Sequence, residues 1–272
     1  MPTTFDPGYD RAPFQDLVDQ VPDSTVYPFG SFRYEWGPIF HRGRLDGTAR
    51  VLGIGQDPAQ HEAVVRRILI GTAGHRVQGF LAKLGFDRSY VLINTFLYSV
   101  YGQTGGNQHI NDPGITAYRN KWLAAIIGTG SIEVVVAFGT LADTAWTKFL
   151  SDPTGTSARN LPYAHVPHPT SAEGHGGTPA QIAAAKKALL IKWNAAIQAL
   201  SPAIHHPDHQ APFVPYGDDF APADLIPIPR FDLPGGLPAW MCGDDGWAAR
   251  TGATAADKRK TITVQVPPGV IP

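Results

Sequence analysis

The sequence predicts an α/β fold, a three-layer α/β/α sandwich around a central four-stranded parallel sheet. Three observations predict it. Four short apolar runs recur along the middle of the chain, each stopped by Gly, Asn or Pro. Their apolarity is continuous rather than alternating, as in strands buried on both faces. Segments with helical spacing of apolar residues fill the gaps, and this alternation builds parallel sheets covered by helices on both sides.

The first strand is expected over 50–55, where Val51, Leu52 and Ile54 run into Gly55 and then Pro58. Helical patterns follow at 61–70 and 76–85. Tyr90-Val91-Leu92-Ile93-Asn94 is the second strand, and the helix over 115–127 leads to the third at 132–138, where three consecutive valines favour extended backbone. After a helix at 140–150, Ala164–Val166 forms a short fourth strand against Pro167. The last helix, 178–200, is the best marked. Thr178 and Gln181 make a capping box, Pro179 occupies the first turn, and Ile182, Ala185, Leu189, Trp193 and Leu200 recur at helical spacing.

A chain of 272 residues that is 43% hydrophobic and 17% charged can bury a large core, which excludes wholesale disorder. Its single cysteine, Cys242, excludes an internal disulfide, a four-cysteine zinc site and a self-contained iron–sulfur cluster, and fits a reducing cytoplasm. No apolar run approaches the length of a membrane span, and residues 1–10 lack the basic and apolar regions of a signal peptide. The net charge of −1 argues at first against a nucleic-acid partner, but it is unevenly spread. Residues 1–40 form an acidic N-terminal extension of −4, residues 41–200 a core of +6, and residues 201–272 an extension of −3 holding 12 of the 25 prolines. Phe213, Phe220, Phe231, Trp240, Met241 and Trp247 give that C-terminal extension enough apolar surface to pack on the core.

In a parallel sheet of this kind, ligands bind beyond the carboxyl ends of the strands. Three loops qualify. After the first strand comes Gly53-Ile54-Gly55-Gln56-Asp57-Pro58-Ala59, where the glycines permit close approach and a carboxylate would repel phosphate. Asp57 there either positions a water and stabilises a developing cation or caps the next helix. Asn94 ends the second strand; its amide suits the edge of a pyrimidine, and turn formation is the competing role. His168 follows the fourth strand between Pro167 and Pro169, with Thr170, Ser171 and Gly174 offering hydroxyls and N–H groups to a phosphate backbone. His165, His168 and His175 match no metal-ligand spacing, so no metal is expected.

These motifs resemble those of the uracil-DNA glycosylase superfamily. Gly55-Gln56-Asp57-Pro58 is similar to the water-activating motif of the common class, Leu92-Ile93-Asn94-Thr95 to the strand bearing its uracil-reading Asn, and His168-Pro169-Thr170 to its His-Pro-Ser leaving-group motif. Ile70-Gly71-Thr72-Ala73-Gly74 and Val135-Val136-Ala137-Phe138-Gly139-Thr140 resemble the iron–sulfur classes, whose cluster one cysteine cannot build. The resemblance covers roughly 50–200. Ala59 stands where the common class has a thymine-excluding Tyr, as in broad-specificity classes, and Leu69 replaces a base-stacking Phe. The stretch 101–109 lacks the basic residues of the covalently trapping class and leaves His109 as a distant counterpart of its His, so no covalent adduct is expected.

The resemblance implies a cofactor-free DNA-repair hydrolase that flips uracil, and other damaged bases, out of DNA and cleaves the N-glycosidic bond. Asp57 and His168 are its catalytic candidates. Gln56, Ala59, Leu69 and Asn94 are the base-binding candidates, and Thr170, Ser171, Gly174 and Arg76 the DNA-binding ones. Arg66 and Arg67 either contact phosphates or lie on solvated helix faces. A monomer without membrane partners is expected. The alternatives are a non-catalytic binder of damaged or abasic DNA with the same fold, against which the joint presence of Asp57, Asn94 and His168 argues, and a flavodoxin-like nucleotide-binding module, against which Asp57 argues.

Overall fold

The computed structural model describes residues 8–102, 105–174, 177–210, 212–243 and 246–270. Helix α1 (Phe14–Asp19) precedes strands β1 (His41–Gly43) and β2 (Val51–Gly55), helices α2 (Gln60–Val65) and α3 (Gly71–Lys83), and strand β3 (Tyr90–Asn94). Then come α4 (Pro113–Ile127), β4 (Val134–Phe138), α5 (Thr140–Ser151), β5 (Tyr163–Val166), the one-turn α6 (Ser171–Gly174) and the long α7 (Pro179–Leu200). The C-terminal part adds β6 (Ala248–Ala249), α8 (Ala255–Lys260) and β7 (Thr263–Val264).

The central sheet has the order β1-β3-β2-β4-β5, parallel except for β1, which runs antiparallel to β3. It therefore has five strands, not the four expected. The additional strand is three residues long and reads His41-Arg42-Gly43, with no local apolar signal. Its polar residues are buried because partners arrive from elsewhere: Arg42 pairs with Asp232 at 3.0 Å and donates to Ile68 O and Gln78 Oε1. Gly43, at φ +91°, lies so close to Tyr90 O that a Cβ would fall 2.2 Å from it.

Strands β2, β3 and β4 are buried on both faces, which accounts for continuous apolarity along them, while β5 at the edge is partly exposed. Leu52, Ile54, Val91, Ile93, Val135 and Ala137 face Trp122, Leu123, Trp146 and Phe149 of α4 and α5. Val51, Leu92, Val134, Val136 and Phe138 face Phe80 and Leu81 of α3 and Leu189, Trp193 and Ile197 of α7. Helix α7 starts as its sequence dictates: Thr178 Oγ1 accepts from Gln181 N, and Gln181 Oε1 accepts from Thr178 N.

The helix expected over 61–70 breaks after Val65, and the one expected from 76 begins at Gly71. Arg66 and Leu69 both adopt left-handed backbone, at φ +63° and +53°. The break is held from both sides. Arg66 donates to Trp36 O and Pro38 O at 2.5 and 2.6 Å, while Glu62 Oε1 accepts from Ile70 N at 2.8 Å.

Residues 201–210 and 212–243 run over the α3 side. Lys83 pairs with Asp224, Asp208 accepts from the N–H groups of Asp87, Arg88 and Ser89, and Ile228, Leu233, Met241 and Cys242 bury against Val65 and Ile70. No helix among the described residues is long and apolar enough to cross a membrane.

Candidate active site

The strand order places the ends of β3, β2, β4 and β5 side by side, so the loops after them share one rim of the sheet. The loop after β2 stays tied to β3, since Thr95 N donates to Gly55 O and Phe96 N to Gln56 O. Asp57 is half-buried in that loop. Its Oδ2 accepts from Val100 N at 2.9 Å and its Oδ1 from Gln56 Nε2 at 3.2 Å. It does not cap α2: the N-cap position is Ala59, whose N–H is taken by Glu62 Oε2 at 3.0 Å. Burial pushes the Asp57 carboxyl up to about 6, against the opposing pull of those two donors and of the positive charges of Arg33 and Arg250.

Asn94 is the last residue of β3 and is 6% exposed. Its Oδ1 is buried with no hydrogen-bond partner, so the amide is not spent on a turn. A Cβ on Gly55 would fall 2.4 Å from that oxygen and 3.6 Å from Leu69 Cδ1. Gly55 is thus the floor over which the Asn94 amide and the Leu69 side chain meet. Leu69 reaches this position through its left-handed backbone.

His168 follows β5 on a loop fixed at several points. Trp193 Nε1 donates to Pro167 O at 3.1 Å, Ser171 N donates to His168 O at 3.0 Å, and Gly139, at φ +102°, lets the His168 Cβ pack where its own side chain would be. Thr170 N points at His168 Nδ1 at 3.4 Å, with Thr170 Oγ1 at 3.3 Å. That contact assigns the ring proton to Nε2. Burial, aided by the charge of Arg76, brings the imidazole down to about 4, so it is neutral at physiological pH.

Arg76, expected to contact phosphate, is instead turned inward. It is buried, pairs bidentately with Glu173 at 2.8 and 3.1 Å, donates to Pro169 O at 2.7 Å and lies over the Phe220 ring. Its charge is spent on holding the His168 loop. Arg66 and Arg67 are internal too, bonded to backbone carbonyls rather than spread on a solvated face. Thr170 and Ser171 are half-buried, and Gly174 is exposed with open space around it. Ala59 is exposed and Gln56 half-buried beside Asp57.

His109 pairs with Asp112 at 2.6 Å. His165 lies 3.6 Å from Asp143, and His175 is outside the described residues. Among the described residues no three His, Cys, Asp or Glu side chains gather as a metal site would require. The residues that motif reading missed are those that surround Asp57 from afar. Glu62 fastens Ala59 and Ile70, and Arg33, Tyr101 and Arg250 come from three separate segments. No spacing rule links them.

No curated protein matches the chain. The family model described as the Uracil DNA glycosylase superfamily matches residues 42–193, which takes in every strand of the central sheet except His41 and all three loops at its carboxyl rim. With more than half its length matched, the chain belongs to the uracil-DNA glycosylase superfamily.

Proposed function

We propose that this protein flips uracil out of DNA and hydrolyses its N-glycosidic bond, leaving an abasic site. The observation that carries this reading is the placement of Asp57, Asn94 and His168 on neighbouring loops, each prepared for a different charge in one reaction. Breaking the bond leaves positive charge on the sugar and negative charge on the base. Asp57 keeps its carboxylate beside the sugar, where it orients the attacking water and stabilises the cation. Its bonds to Val100 and Gln56 use one lone-pair direction on each oxygen and leave the others for that water. His168, neutral with its proton on Nε2, donates to the base O2 as charge builds there. Asn94, with an unused acceptor over Gly55, reads the N3–H and O4 edge. Leu69 covers one face of the ring.

Ala59 in place of a bulky side chain supports a pocket that admits further deaminated or damaged bases. Thr170, Ser171 and Gly174, beyond His168, serve the DNA backbone or the gap left by the flipped nucleotide. The target must leave the stack because its sugar is unreachable within a duplex.

Release of free uracil from a labelled oligonucleotide tests the reading. Asp57→Asn is expected to cut the single-turnover rate by two or more orders of magnitude while sparing DNA binding; an unchanged rate would remove Asp57 from the mechanism. Tight binding to abasic DNA with no base released by the native protein would favour a non-catalytic binder. Ala59→Tyr is expected to narrow the range of excised bases, as scored across uracil, hypoxanthine, xanthine and ethenocytosine substrates.

A further inference from the structure

The −3 charge of residues 201–272 is not uniform. Residues 201–245 carry seven acids and one base, whereas 246–272 carry Arg250, Lys258, Arg259 and Lys260 against Asp257 alone. An acidic stretch of −6 is thus followed by a basic one of +3. The fold returns the basic stretch to the rim of the site. Gln60 Nε2 donates to Ala248 O and Ala248 N to His61 Nε2, both at 3.3 Å, which seats β6 on α2, the helix directly after the Asp57 loop. Trp247 is buried edge-on to the His61 ring at 4.7 Å. Strand β7 pairs back on β6, so the chain between them, including α8, projects as an exposed arm.

That arm meets a buried cation. Arg33 is 2% exposed, and its guanidinium lies 4.8 Å from the Trp36 ring and 4.5 Å from the Tyr101 ring, yet its Nε and Nη1 have no hydrogen-bond partner. Arg259 approaches the same Tyr101 ring at 4.7 Å, and the charge of Arg250 acts on both Arg33 and Asp57. Tyr101 directly follows Val100, whose N–H holds Asp57. The nearby carboxylates are engaged elsewhere: Glu35 accepts from Tyr101 Oη at 3.2 Å, and Asp57 from Val100 and Gln56. The charge of Arg250 repels that of Arg33, and a buried guanidinium whose Nε and Nη1 lack an acceptor is costly. An anion with several oxygens resolves both, and the planar fork of Arg suits phosphate.

We propose that residues 246–270 form an arm that, with Arg33 and Tyr101, grips a backbone phosphate of the DNA strand carrying the target nucleotide. The inference rests on the reading of DNA as substrate and adds the element that holds it. A phosphodiester fits better than the terminal phosphate of a free nucleotide, because a single negative charge is repelled less by the neighbouring Asp57 carboxylate than a double one. Arg33 supplies the buried donors, and Arg250 and Arg259 supply charge from the solvent side.

The test compares the native chain with the Arg250→Ala/Arg259→Ala variant, both sites being exposed, in binding an oligonucleotide with a tetrahydrofuran abasic analogue at several salt concentrations. Each lost phosphate contact flattens the dependence of log affinity on log salt by about 0.7 to 0.9. The double variant is expected to flatten it by up to about 0.7 to 0.9, the share of one phosphate, and to bind about tenfold or more weakly at low salt. Neutral methylphosphonates placed one at a time beside the target should weaken the native protein at one position, and weaken the variant, which keeps Arg33, less at that same position. An unchanged salt slope, faster base release by the variant as if a cover had been lifted, or no binding by the native chain overturns the proposal. Binding needs no catalysis, so the two readings fail separately. Normal uracil release with an unchanged slope sinks the arm alone, and the expected slopes without uracil release sink only the glycosylase.

Discussion

Gly55 decides where Asn94 stands, because any side chain there would collide with the Asn94 amide, which the proposed function sets against the base. Gly55→Ala is expected to lower kcat/KM by about 100-fold through misplacement of that amide, while destabilising the protein by only about 1–3 kcal/mol from overpacking. Base release and thermal unfolding measured on the same preparation check both halves. Asp57 gives a pH signature. With its carboxyl raised to about 6 and, on the proposed mechanism, the carboxylate as the active form, the single-turnover rate should climb about tenfold per pH unit below 6 and level off above it. His168, held near 4, stays neutral throughout that climb and adds no second limb. The same shift has a cost in stability. A carboxyl raised in the folded state favours folding at low pH, and that contribution is lost as pH rises through 6, so Asp57→Asn should raise the Tm at pH 8 while abolishing the rate limb. That Asp57, Asn94 and His168 share one rim was legible in the sequence because each stands at, or two residues beyond, the end of an apolar strand. Arg33 was not, since its meaning depends on Tyr101, Arg250 and Arg259 arriving from distant segments.

The break between α2 and α3 shows what element-level reading can and cannot supply. Apolar spacing runs a helix through 61–70, because periodicity records which side chains are buried and not which carbonyls seek a donor. Trp36 O and Pro38 O take the Arg66 guanidinium, some 30 residues upstream, and the helix stops. Glu62 then bridges the two sides of the break, with burial pushing its carboxyl up to about 7. Because it is raised above the ordinary carboxylate range, its contribution to stability is greatest at acid pH and is lost as pH rises through 7. Glu62→Gln keeps only one acceptor for two N–H groups, Ala59 and Ile70. A loss of about 1–3 kcal/mol at acid pH is expected from the orphaned donor, together with a weaker dependence of stability on pH and a raised KM as Leu69 loosens. Urea unfolding at pH 5 and pH 8 reads the first two, and steady-state kinetics the third.

At the scale of the molecule, the part matched to the family is not the part that closes the fold. The ion pair of Arg42 and Asp232 is 0% and 1% exposed, with Tyr90 Oη also donating to Asp232 at 2.5 Å and with Arg42 bonded to Gln78. Removing one partner strands a buried charge. Asp232→Ala should cost about 3–5 kcal/mol in urea unfolding, and replacing both residues with apolar ones of similar volume much less. The five-stranded sheet was only four-fifths legible for the same reason: β1 is a strand by virtue of a residue 190 positions away. That separation also bears on biosynthesis. The nascent chain emerges with the Arg42 cation at the sheet edge and must extrude 190 further residues before its counter-charge appears. Folding therefore cannot be completed in the order of translation, and the edge of the sheet is sealed only once that distant carboxylate has been made.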